Sequence, residues 1–208
     1  MDERVEVLIA NWKKRNISGL YCKNKDLAQS TAFQMIPKEA SVGFSGSKTL
    51  DEIEIIKKLQ ERGNIVFDPY KPGLSREESL KIRRQGASAD FYLASANAVS
   101  EKGELVFFSG YGNRISGVSY AKNVIIVCGI NKITANIDEA MNRAREFATP
   151  LNCKRLNWDS ACLKDGRCHE EICLFPEYKR MCCQILIIEA EVAPDRLRVV
   201  LVGENLGY

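Results

Sequence analysis

The sequence predicts a single α/β domain: a mainly parallel sheet flanked by helices, with an N-terminal helical prelude, a cysteine-rich segment and C-terminal β-strands. Three observations carry this. Short apolar runs alternate with amphipathic helical patterns between residues 40 and 150, as parallel strands joined by helical crossovers require. The 208 residues suffice for one domain with a substantial core and give little reason for two. A hydrophobic share of 45% beside 27% charged residues is that of an ordinary globular chain.

The elements follow in order. Residues 1–37 form the prelude: Val5, Leu8, Ile9 and Trp12 recur at helical spacing among charges, and Asp26 to Met35 carries a second helical pattern ended by Pro37. The α/β core occupies residues 38–150. Val42 to Phe44 is a short strand that leads through Gly46 and Ser47 into TLDEIEIIKKLQERG, with Leu50, Ile53, Ile56 and Leu59 on one stripe. Thr49 and Glu52 stand three apart as a capping box, and Gly63 supplies a left-handed cap. NIVFDPY is a strand, SREESLKIRRQGAS a helix opened by the Ser75 and Glu78 pair, and DFYLAS another strand. A glycine-punctuated stretch then precedes NVIIVCG, a buried strand, and NIDEAMNRAREFATP, a helix capped by Asn136 and stopped by Pro150. Residues 151–183 hold the cysteines. In residues 184–208 two β-branched runs flank a Pro-Asp turn signal and read as a hairpin or two neighbouring strands.

Several classes of function are excluded as expectations. No segment approaches the roughly 18 apolar residues that span a bilayer, and MDERVEVLIANWKKRN lacks the apolar core and cleavage site of a secretory signal. A cytoplasmic protein with no membrane partner is expected. The net charge of +3 is scattered, with no basic run interleaved with aromatics, so no nucleic-acid partner is expected either.

Ligands of open α/β sheets sit beyond the carboxyl ends of the strands. Two loops meet that description. The first holds Ser45, Gly46, Ser47 and Thr49, whose small residues and hydroxyls suit an anion; it is neither a Walker A loop nor GxGxxG, and a plain tight turn is the alternative. The second runs from Asn97 through Glu101 to Gly110 and Gly112, which bracket a bend projecting Asn113 and Arg114. Arg114 would clamp a carboxylate or phosphate with its fork; a hairpin turn with an exposed arginine is the alternative.

The words VGFSGSKTLDEI, ADFYLASANAVSEKGELV, GYGNR, NVIIVCGINKI, DEAMNRAREFATPLNCKRL and VVLVGENLGY, in that order, resemble the LUD (lactate-utilization) domain family from about residue 40 to the C-terminus. The resemblance implies a NagB/RpiA/CoA-transferase-like fold and a role in or beside oxidation of L-lactate to pyruvate, next to iron-sulfur redox partners. It supplies no established catalytic residue. Carried over position by position, it marks Ser45 to Thr49, Asn97, Glu101 to Gly103, Gly112 to Arg114, Asn131 and Lys132. Ser109 departs from the family, whose members often carry Asp there. The expected ligand is a small anionic metabolite. Asp90, Glu101 and Arg114 are the catalytic candidates: Glu101 by analogy with the glutamate nucleophile of acyl/CoA transferases, Asp90 with the acids of sugar-phosphate isomerases. Against these, Glu101 reads as a solvated turn acid and Asp90 as a cap. The rival expectation is a non-catalytic redox or scaffold subunit that docks an iron-sulfur partner.

Of eight cysteines, Cys153, Cys162, Cys168, Cys173, Cys182 and Cys183 crowd one region around the only histidine, His169. Their spacing, C-x8-C-x5-C-x4-C-x8-C-C, lacks the short knuckle usual in structural zinc sites, whereas iron-sulfur clusters tolerate wider intervals. An iron-sulfur cluster held among Cys153, Cys162, Cys168, Cys173 and Cys182 is therefore expected ahead of zinc, with labile or inert thiols as alternatives. At most one of Cys182 and Cys183 can point into a common site. His169 reads as an exposed loop residue, Cys128 as core, and Cys22 as lying outside the cluster.

Overall fold

The computed structural model describes residues 2–208. The elements are α1 (Glu3–Lys14), β1 (Ser18–Cys22), α2 (Lys25–Gln34), β2 (Val42–Phe44), α3 (Lys48–Glu52), α4 (Ile55–Arg62), β3 (Val66–Phe67), α5 (Arg76–Ala87), β4 (Phe91–Ala94), β5 (Ala98–Ser100), β6 (Leu105–Ser109), α6 (Asn113–Tyr120), β7 (Asn123–Gly129), β8 (Ile133–Thr134), α7 (Ile137–Asn142), α8 (Thr149–Leu156), β9 (Gln184–Ile188) and β10 (Leu197–Val202). Six strands in the order β1-β10-β7-β4-β2-β3 form one sheet, and every pairing in it is parallel. A smaller sheet, β8-β5-β6-β9, is mixed.

The large sheet is covered on both faces, as a parallel sheet requires. Successive residues of β7 alternate between two cores. Val124, Ile126 and Cys128 join Val5, Leu8 and Trp12 of α1, Val118 of α6, and Val99, Leu105 and Phe107 of the small sheet. Ile125 and Val127 face Ala28 and Ala32 of α2, Leu50 of α3 and Leu59 of α4. The outer face of the small sheet, through Ala98, Val106 and Phe108, buries Ala140 of α7. Helix α5 lies directly on β2: a Cβ at Gly43 would stand 1.9 Å from the carbonyl oxygen of Gly86, so only glycine permits this approach.

Local signals appear as expected in several places. Ser75 and Glu78 form the reciprocal box at the start of α5, Asn136 caps α7, and Gly63 ends α4 at φ 92°. Four expectations are corrected. The prelude contains a strand, β1, paired to β10. TLDEIEIIKKLQERG is two helices, broken where Glu54 takes φ 50°. Ser47, not Thr49, caps the first of them by accepting from the Leu50 amide, because the Thr49 side chain is buried and bonded elsewhere. Pro150 does not stop its helix: a π-helical turn over Arg143–Ala148 carries the helical chain on into α8, with Pro150 in the first turn of α8.

The last two strands are not a hairpin or neighbours. β9 exposes most of one face and pairs antiparallel with β6, whereas β10 is apolar on both faces and inserts between β1 and β7. The α/β core therefore extends past residue 150. Among the described residues no helix is long and apolar enough to cross a membrane.

Candidate functional site

The carboxyl ends of β2, β4, β7 and β10 and the β6–α6 loop surround a cavity of about 560 Å³. The geometry follows from where each strand stops. After β2 the chain turns through Ser45 to Ser47; after β4 through Ser95 to Asn97; after β7 a 3-10 turn, Ile130–Lys132, points Lys132 back beneath both.

Lys132 is only 3% exposed. Its ammonium donates to Thr49 Oγ1 (2.9 Å), Ser95 Oγ (2.8 Å) and the Ala96 carbonyl (3.2 Å), all neutral oxygens. Burial pulls its pKa down to about 8, with Arg143 and Arg114 adding repulsion and Cys128 pulling the other way. Arg114, in the first turn of α6, keeps an edge open to the cavity. Its guanidinium donates to Ser45 Oγ (3.3 Å), Asn97 Oδ1 (3.0 Å), the Phe108 carbonyl (3.2 Å) and the Gly46 carbonyl (2.8 Å). Burial lowers its pKa too, although a guanidinium stays charged. Neither cation forms an ion pair with a carboxylate among the described residues.

The rim is aromatic and basic. Tyr111 meets Trp158 edge-on with centroids 5.8 Å apart, Arg83 stands over the Tyr70 ring, and Arg155 donates to the Tyr208 hydroxyl at 2.7 Å. Lys48, Arg83, Arg114, Lys132 and Arg155 line the cavity against two acids, Asp51 and Asp68. The field inside favours an anion. Burial raises the pKa of Asp51, while Arg155 and Lys48 act the other way.

Of the positions the sequence marks for ligand binding, Ser45, Gly46, Ser47, Thr49, Asn97, Gly110, Asn113, Arg114 and Lys132 line this one cavity. Gly112 does not line it; at φ 76° it turns the chain into α6. Asn131 also stands behind the wall, where its side chain accepts from the Leu206 amide (3.1 Å) and donates to the Gly207 carbonyl (3.3 Å). Ser109 lines the cavity and accepts from the Gly112 amide at 3.0 Å, holding the bend.

Asp90 and Glu101 are not brought to the cavity. Asp90 lies at the amino end of β4, where its carboxylate accepts from the Ser41 amide and hydroxyl, and those bonds hold its pKa low. Glu101 sits in the β5–β6 turn and pairs with Arg4 of α1. Tyr70, Arg83, Arg155, Trp158 and Tyr208 also line the cavity and are not marked in the sequence, and Ser95, which opens the second loop, is not among the expected ligand-binding positions. Ser95 carried a signal, since it ends a buried strand; Arg83 and Arg155 lie on helices and look like ordinary solvated residues.

Cys153, Cys162, Cys168, Cys173 and Cys182 line a second cavity, of about 10 Å³, together with His169. Burial pushes the Cys153 thiol up to about 12 and that of Cys168 to about 11. No three Cys, His, Asp or Glu side chains among the described residues converge closely enough to hold a metal ion as they stand. His169 pairs with Asp165 at 2.8 Å. Cys183 is exposed, and its thiol donates to the Arg180 carbonyl. Cys128 and Cys22 are buried elsewhere.

Comparison with known proteins adds the family. A DUF162 family protein from Deinococcus radiodurans shares the fold at 12% identity and TM-score 0.52, over 96% of this chain and 94% of that one. Ribose 5-phosphate isomerase A from Neisseria gonorrhoeae (15% identity, TM-score 0.35, 54% of each chain) and eIF2B beta from Chaetomium thermophilum (20%, 0.39, 55% of this chain and 44% of that one) are too distant to carry an argument. No curated protein matches. The family model for the LUD domain matches residues 5–202. The chain therefore belongs to the LUD domain family, and with it to the lactate-utilization type of protein.

Proposed function

We propose that the chain binds a small anionic metabolite, a carboxylate or phosphate, in the strand-end cavity and acts in or beside the oxidation of L-lactate to pyruvate. One observation carries the reading: Lys132, buried, and Arg114, half-buried, meet at one cavity, bonded to neutral oxygens and to no carboxylate. Taking a charge out of water is costly, and hydrogen bonds to neutral groups recover only part of it. An anion in the cavity supplies the rest. Arg114 makes four hydrogen bonds and has five N–H donors, so one donor remains for a ligand. Lys132, with its pKa near 8, is also the group in the cavity best poised to exchange a proton near neutrality.

Calorimetry of the full chain with L-lactate, pyruvate and inorganic phosphate tests the reading. Arg114→Ala is expected to weaken whichever anion binds by about 1.5–3 kcal/mol, the scale of a charge-assisted bond. Unchanged affinity overturns the assignment.

A second reading, a redox subunit that docks an iron-sulfur partner, draws on a different feature. Ile172, Leu174 and Phe175 of the cysteine-rich segment are 58%, 52% and 68% exposed, an apolar group on the surface around the thiols.

A further inference from the structure

Residues 157–183 are irregular apart from one 3-10 turn, Ala161–Leu163. A segment of that length in a compact domain needs something to hold it, and apolar burial is not what does so, since Ile172, Leu174 and Phe175 face outward. The groups turned inward are thiols. Cys162, Cys168, Cys173 and Cys182 come from separate turns of the segment yet line the same closed cavity, with Cys153 of α8 against Cys162 as its floor.

We propose that this cavity is a mononuclear metal site in which Cys162, Cys168, Cys173 and Cys182 take one thiophilic divalent cation of the zinc class. The assignment of four rests on mobility and direction. Cys153 is fixed by its helix and Cys183 is exposed, whereas Cys168, Cys173 and Cys182 lie on backbone outside any ladder or helix and Cys162 on a single 3-10 turn. Convergence on one centre requires these side chains to turn inward, because the thiols are not yet in ligating positions.

Size selects an ion over a cluster. About 10 Å³ is the space of roughly one water molecule, so a single cation displaces the lining far less than an iron-sulfur cluster would. Charge agrees. A divalent cation with four thiolates carries two net negative charges, and the cavity wall holds Arg145, Arg180 and His169 against one acid, Glu170, which pairs with both arginines. The Arg180 guanidinium lines the cavity beside Cys182, where a cation can stabilise a thiolate ligand from outside. The site would act as a staple in the sense that small metal-bound loops do, with ligand binding and local folding the same event.

Thr149 and Met181 line this cavity and the anion cavity alike, and Trp158 at the start of the segment lines the latter. Metal loading would thus fix one wall of the strand-end site. The proposal does not depend on what that site binds.

The test is metal analysis of the full chain purified anaerobically, followed by titration of the metal-free protein with Co²⁺ and Zn²⁺. One zinc per chain is expected. It should be lost in each of Cys162→Ser, Cys168→Ser, Cys173→Ser and Cys182→Ser and retained in Cys153→Ser and Cys183→Ser. Should a serine variant fail to fold, the wild-type titration still decides: Co²⁺ must give thiolate charge-transfer absorption saturating at one equivalent. Iron with acid-labile sulfide would overturn the single-ion assignment in favour of a cluster. Absence of metal together with a silent Co²⁺ titration, or metal retained in all four serine variants, would overturn it outright.

Discussion

The two ends of the parallel sheet treat charge in opposite ways. At the amino ends of the strands every notable polar group has its complement: Arg196, just before β10, pairs with Glu191 and bonds the carbonyls of Val118 and Ala121, and Asp90 accepts from Ser41 while Asn123 donates to its carbonyl. At the carboxyl ends Lys132 is buried and Arg114 is half-buried, as Arg196 is, and both have only neutral oxygens. A fold that pairs its charges at one end has no mechanical reason to leave two unpaired at the other. On the proposed reading the imbalance is where a ligand completes the structure, and it marks that place more sharply than loop composition does.

The strongest blow to this contrast would fall on Arg114. Arg114→Ala removes the fork that ties Ser45, Gly46, Asn97 and Phe108 together, and anion affinity should drop roughly ten- to hundredfold in calorimetry. Lys132→Met sharpens the contrast further. Anion affinity should again fall, by about tenfold or more, yet the melting temperature should hold or rise, because an apolar side chain of similar length replaces an unpaired buried charge. A fall in both would mean that Lys132 is a structural cation.

pH provides a smaller effect of defined sign. The native Lys132 releases its proton near pH 8, whereas the unfolded chain keeps it up to the ordinary lysine range. Between those limits the unfolded state binds more protons, so the contribution of Lys132 makes stability rise with pH; below about 8 the burial penalty is fully present. Anion affinity should move the opposite way and decline as pH rises through about 8. Cys128, Arg143, Arg114 and Glu52 act electrostatically on the same ammonium, so the control is Lys132→Met, whose affinity profile should be flat there. Smallest of all, Asp90→Asn at the other end should leave anion binding unchanged and lower stability by no more than about 1 kcal/mol, as for an exposed polar contact, measured by urea denaturation. A lost ligand in that variant would return Asp90 to the site.

What the sequence revealed and concealed divides by range. The Ser75 and Glu78 box, the Asn136 cap and the Gly63 terminus are set by neighbours within a few residues, and all three were legible. The loop words also name residues that come together, since Ser45, Gly46 and Asn97 meet at Arg114. Non-local facts were not legible. Nothing near Thr49 shows that its hydroxyl is claimed by Lys132, which hands the cap to Ser47. A lysine after a strand looks solvated until the turn Ile130–Lys132 drives it inward. Arg83 and Arg155 reach the cavity only because α5 and α8 pack where they do.

The place of β10 bears on how this protein comes into being. On a ribosome, β1 emerges early and has no sheet partner until residues 197–202 arrive, because β10 lies between it and β7. Until then β7 presents an open apolar edge, the kind of surface that invites pairing with another nascent chain. The β1-β10-β7 side of the sheet therefore closes after the other described strands have formed, β1 over the longest sequence separation, so its assembly is slow relative to the local hairpin of β5 and β6. A cell producing this chain must shield that edge from the emergence of residues 123–129 until residues 197–202 arrive.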